Sequence, residues 1–167
     1  MCVECLSSMN NKYLLPDELS ITCTLQGKPV SGILVSVTAR MQRKNHFDLV
    51  VGPTDIRGQI TCTRNNILEQ AESSRNLFLM DYADPVDNFS GEIEVSPMSR
   101  HDIKRALDAY NMFADATKYP EKWKETLESA DRVLVSLDPK SRIDISVRCS
   151  DSTIKLVEVP CIVGERP

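Results

Sequence analysis

Leu19, Ile21, Cys23 and Leu25 alternate with Ser20, Thr22, Thr24 and Gln26. An apolar residue at every second position marks a strand with one buried face, because successive strand side chains point to opposite sides. The same period returns in Ile33, Val35, Val37, Ala39 and Met41, and in shorter runs over residues 46–51, 59–63, 77–82 and 89–95. Past residue 99 the period lengthens. Ile103, Ala106, Leu107, Tyr110, Phe113 and Ala114 fall on one face of a helix, and Trp123, Leu127, Ala130, Leu134 and Leu137 on one face of a second. Alternation resumes at Ile143, Ile145, Val147 and Cys149, and a last strand is expected from Ile154 through Leu156 to Val163.

Punctuation supports these elements. Ser99 and Asp102 have the spacing of a capping box, Pro120 suits a first helical turn, and Asp138-Pro139 ends the second helix. Asn65 and Asn66 are placed to cap a short helix from Ile67 to about Ser74, with Glu69 closing a capping box on Asn66. Strands follow one another without the strand–helix alternation of a parallel sheet. The pattern therefore predicts a mainly β fold with an α insert: an antiparallel β-sandwich of seven to eight strands, with a helical hairpin between late strands. Residues 1–18 read as a loose lead-in, 19–163 as one sandwich domain, and 99–138 as the inserted hairpin.

Composition narrows the picture. The chain has 167 residues, enough for one domain, with 41% hydrophobic and 26% charged residues. Aromatics make up only 5%, so the core must come from Val, Ile and Leu. A net charge of -4 argues against a surface that tracks nucleic-acid phosphates. No stretch approaches the roughly 20 apolar residues that cross a bilayer. The start, Met1-Cys2-Val3-Glu4-Cys5, lacks the basic and apolar regions of a leader, so the expectation is a soluble cytoplasmic protein. Cysteines stand at 2, 5, 23, 62, 149 and 161, and three of them fall in alternating apolar runs where a thiol acts as a small core residue. A disulfide framework in a secreted or surface assembly is the alternative.

Two turn clusters carry a family resemblance. Gly27-Lys28-Pro29-Val30-Ser31-Gly32 opens one strand, and Thr54-Asp55-Ile56-Arg57-Gly58 opens another. Together they resemble the transthyretin-like, or prealbumin-like, sandwiches, which include carboxypeptidase regulatory-like domains and adhesin B repeats. The resemblance implies a sandwich fold in which Asp55 accepts backbone N–H bonds and Gly58 takes a positive φ. It implies little about function, since one fold hosts many activities. The hydroxyisourate hydrolases of that group use a His and Arg set with a terminal Tyr-Arg-Gly-Ser. This chain ends Gly164-Glu165-Arg166-Pro167 and has only His46 and His101. The isopeptide-forming adhesin repeats need a Lys on the first strand, and residues 19–26 contain none.

The remaining constellations read mostly as structure. Cys2 and Cys5 have the spacing of half a zinc site, without a second close pair. Asp81, Asp84, Asp87 and Asn88 form an oxygen-rich loop that suits a turn as well as calcium. Arg40, Arg43 and Lys44 cluster at a hairpin tip without stacking aromatics. No catalytic set or cofactor motif emerges. The hairpin gathers Tyr110, Met112, Phe113, Tyr119 and Trp123, a large share of a chain poor in aromatics, and such side chains favour interfaces as well as cores. These five residues are the candidate contact set. The expectation is a non-catalytic protein-binding or adaptor module whose partner is another protein. Self-association through strand edges is left open. A structural subunit of a surface or secreted assembly, a transthyretin-like hydrolase and a small metal or thiol protein are the alternatives.

Overall fold

The computed structural model describes residues 14–41, 46–69, 89–113 and 121–164. The strand expected at 77–82, the oxygen-rich loop, and Cys2 and Cys5 lie outside the described residues. The protein is mainly β, with its strands in two sheets. The strands are β1 (Glu18–Leu25), β2 (Lys28–Pro29), β3 (Val35–Met41), β4 (His46–Val51) and β5 (Gln59–Thr63), then β6 (Phe89–Pro97), β7 (Arg142–Cys149), β8 (Lys155–Glu158) and β9 (Cys161–Ile162). Helix α1 is described over residues 64–69, α2 spans Arg100–Phe113 and α3 spans Glu121–Val135.

The first sheet runs β2-β1-β7-β9, with β5 also paired to β1. Glu18–Thr22 of β1 face β5, while Thr24 and Leu25 face β2. The second sheet runs β4-β3-β6-β8. Alternation translates directly into burial. Leu19, Ile21 and Cys23 of β1, Val35, Val37 and Ala39 of β3, Ile93 and Val95 of β6, and Ile143 of β7 are all at most 1% exposed and belong to one core. Burying that aliphatic surface is the main favourable term in the fold.

Two departures concern the end of the chain. Residues 154–163 are not one strand. The chain leaves β8 in the second sheet at Glu158, crosses through Val159 and Pro160, and enters β9 in the first sheet. Pro160 has no N–H to give a ladder, which suits a crossing point. The second departure follows from the first: β8 runs parallel to β6, with Ile93 opposite Leu156 and Val95 opposite Glu158. Every other strand pairing among the described residues is antiparallel.

Helix α1 also starts earlier than its Asn residues suggested. Its cap is Thr63, whose Oγ1 accepts the Asn66 N–H at 3.2 Å, while Asn66 Oδ1 accepts the Thr63 N–H at 2.8 Å. The box is reciprocal, with Asn66 in the third position and Glu69 outside it. The Arg64 guanidinium then reaches back to the Leu15 carbonyl at 2.9 Å and to Asp17 at 2.9 Å, tying residues 15–17 to the helix start.

The α2–α3 hairpin is part of the core. Ile103, Leu127, Ala130 and Leu134 are 0–3% exposed and join the cluster made by both sheets. Its base is also bonded to the chain end, since the Arg100 N–H donates to the Val163 carbonyl and the Gly164 N–H to the Pro139 carbonyl, at 2.8 and 2.9 Å.

Candidate functional site

The two turn clusters lock together around one hydroxyl. Thr54 is 3% exposed. Its Oγ1 accepts the Ile33 N–H at 3.0 Å and donates to the Val30 carbonyl at 2.7 Å. Its backbone pairs as well: Gly32 N–H donates to the Thr54 carbonyl and Thr54 N–H to the Ile33 carbonyl, both at 2.9 Å. Beside it, Asp55 Oδ1 accepts the N–H groups of Arg57 and Gln59 at 2.8 and 3.0 Å, and Gly58 N–H closes the turn on the Asp55 carbonyl at 2.9 Å. Gly58 has φ of 72°, and a Cβ there would lie 2.6 Å from the Cys23 carbonyl oxygen. The roles expected of Asp55 and Gly58 are the ones these bonds assign.

The hairpin begins at its capping box. Ser99 Oγ accepts the Asp102 N–H at 3.2 Å, and Asp102 Oδ2 accepts the Ser99 N–H at 2.9 Å. Arg100 lies 4.0 Å from Asp131, so the start of α2 meets the later turns of α3 and the helices run antiparallel. At the base Ile103, Ala130 and Leu134 are buried, while Val135 is 53% exposed. At the far end Tyr110 and Trp123 are each half-buried, with Trp123 packed against the core. Outside them, Asn111 and Lys122 are exposed. Of the five candidate contact residues, the structure thus brings Tyr110 and Trp123 to one end of the hairpin. Tyr119 and the side chains of Met112 and Phe113 lie outside the described residues.

A polar chain on the second sheet escaped sequence reasoning. Thr38 Oγ1 donates to Asp48 Oδ1 at 2.7 Å, and Asp48 Oδ2 lies 3.3 Å from His46 Nε2. His46 and Asp48 sit two apart on β4, which puts them on one face, but only the β3–β4 register brings Thr38 opposite Asp48. The order is hydroxyl, carboxylate, imidazole. A nucleophilic triad needs the imidazole between the other two, so this chain cannot activate Thr38. Nearby, Arg40 bridges Glu92 and Glu94 at 3.6 and 3.5 Å, and Lys155 meets Glu92 at 3.4 Å. These are solvent-facing pairs of small energetic weight.

The described cysteines are free, and Cys23, Cys62 and Cys161 are buried. Burial pushes their thiols up to about 12, 11 and 12 respectively, with Asp102 and then Cys23 adding to the burial effect at Cys161. Protonated thiols are poor nucleophiles and poor metal ligands. No group of three or more His, Cys, Asp or Glu placed to hold a metal occurs among the described residues. A cleft of about 450 Å³ opens where the end of β4 faces β5 and α1, lined by Val50, Pro53, Ile60, Thr61, Asn66 and Glu69 among others. Its lining holds no imidazole or thiol. Among the described residues, no helix is long and apolar enough to cross a membrane.

No family model matches the chain, and no curated protein or solved structure is significantly similar to it.

Proposed function

We propose that this chain is a non-catalytic protein-binding module of the cytoplasm: a transthyretin-like β-sandwich whose helical hairpin presents its tip to another protein. The observation that carries this reading is the pair of large, partly exposed aromatic side chains, Tyr110 and Trp123, at the far end of a hairpin anchored in the core. Ile103, Leu127, Ala130 and Leu134 anchor the hairpin at 0–3% exposure, while Tyr110 and Trp123 are half-buried toward its far end. Partly exposed aromatics on a helical support are what interfaces use, because they offer large contact area and lose little side-chain freedom.

The sandwich part is supported by the paired turn clusters and by the two sheets sharing one core. Among the described residues, Cys23, Cys62 and Cys161 are free and buried, which favours a reducing compartment over the alternative of a disulfide-bonded surface or secreted subunit. The protonated thiols and the order of the Thr38–Asp48–His46 chain argue against nucleophilic catalysis at those residues.

The hairpin cannot be excised as a test, because its apolar stripe belongs to the core. Site-specific photocrosslinking in the full chain avoids that difficulty. Benzoylphenylalanine placed at Asn111 or Lys122 should give a protein adduct that the same group at Ser20 or Ser146, exposed on the first sheet, does not give. Adding Trp123→Ala to the Asn111 probe should weaken that adduct. Equal adducts at all four positions, or none at the hairpin tip, would refute the reading.

A further inference from the structure

Ile56 is 89% exposed, the most open of the large apolar side chains among the described residues. It stands on a turn held by several hydrogen bonds. Thr54 anchors that loop from beneath, Asp55 holds two N–H groups, and Gly58 closes it. Each of those three residues has a structural duty. Ile56 has none: it joins no core contact, and a β-branched side chain is not what this turn position selects.

Charge flanks it. Arg57 is the next residue and exposed. Lys28 is exposed on β2, adjacent to Pro29, whose Cα lies 3.2 Å from where a Gly58 Cβ would stand. Neither cation has an ion-pair partner among the described residues. The carboxylate of the same turn, Asp55, has Oδ1 committed to backbone N–H groups. An exposed apolar side chain, followed by one exposed cation and with a second on the neighbouring β2, is thus held on a turn already ordered by hydrogen bonds.

We propose that the turn at Asp55–Gly58 is a preformed docking knob, with Ile56 entering a small apolar pocket of a partner protein and Arg57 and Lys28 meeting carboxylates on that pocket's rim. Preorganisation is the physical advantage, since the ordering cost of a binding loop is already met in folding. The cations speed encounter and set orientation, while the buried side chain supplies most of the affinity. This surface is separate from the hairpin tip and stands or falls without it.

The test uses the full chain with benzoylphenylalanine at position 56, and with the same group at Ser146 as the background position. The proposal expects an adduct from position 56 alone, mapping to a partner segment with apolar residues beside Asp or Glu. Adding Lys28→Glu and Arg57→Glu should suppress it. With the partner in hand, Ile56→Asp should weaken binding about thirtyfold and Ile56→Leu far less, as for a buried anchor. All these substitutions are at exposed positions, so an unchanged melting temperature certifies the fold. No adduct above the Ser146 background, an adduct to a second copy of the chain, or one untouched by charge reversal would each overturn the proposal. An adduct from position 56 with none from Asn111 or Lys122 would support this surface and remove the hairpin reading.

Discussion

Val133 of α3 lies so close to Gly32 that a Cβ added to the glycine would stand 2.7 Å from Val133 Cγ2. One contact therefore joins the β turn cluster to the helical hairpin, through a residue with no side chain and φ of +84°.

Gly32→Ala should be destabilising twice over, through the left-handed backbone and through the collision, by about 2–4 kcal/mol in total. Gly27 provides the control. Its φ is +80°, and nothing lies within 4 Å of its added Cβ. Gly27→Ala should show only the backbone cost, about 1–2 kcal/mol. Urea titration of both variants isolates the collision, and Val133→Ala in the Gly32→Ala background should recover part of it. Equal costs at the two glycines would mean that the hairpin yields freely.

Thr54→Val keeps the shape of the side chain and removes its hydroxyl. The Ile33 N–H and Val30 carbonyl then lose a partner in a site that is nearly closed to water. The expected loss is about 1–3 kcal/mol, with Thr54→Ser costing less because it restores both bonds. Denaturant midpoints of the two variants decide this. A Val variant as stable as the Ser variant would show that the hydroxyl is not what couples the two clusters.

The buried thiols predict alkaline instability. In the unfolded chain they ionise near 9.0, and in the folded protein Cys23 and Cys161 hold their protons to about 12 and Cys62 to about 11. Above 9.0 the unfolded state has released protons that the folded state retains, so stability falls as pH rises. Each thiol contributes up to about 1.4 kcal/mol per pH unit in the window from 9 to about 11. Lysine and tyrosine titrate there too, so the readout is a difference: the urea midpoint of the Cys23→Ala, Cys62→Ala, Cys161→Ala variant should fall less steeply between pH 8.5 and 10.5 than that of the parent. Parallel curves would mean that the thiols ionise alike in both states.

Much of this fold was legible locally. The alternation at Leu19, Ile21 and Cys23, the helical stripe at Leu127, Ala130 and Leu134, and the Ser99–Asp102 box all depend on residues a few positions apart, so their spacing reports the structure they adopt. The bonds of Asp55 were legible for the same reason. The start of α1 was misplaced because Thr63 and Asn66 both have capping side chains, and spacing alone does not say which of the two lies outside the helix. Likewise Ile56 looked like any residue of a turn, and its isolation from the core is a property of the folded surface.

By itself the sequence determined which residues turn inward and where ribbons and helices begin to form. It could not determine which ribbon lies beside which. Ile154 to Val163 carries the apolar residues of a strand, and that pattern fits either sheet. Only closure of the core divided it between β8 and β9, set β8 parallel to β6, and drew the hairpin stripe against both sheets. Periodicity records which side of an element is apolar, whereas the choice of neighbour is decided by burying all such sides at once, and that is a condition on the whole chain.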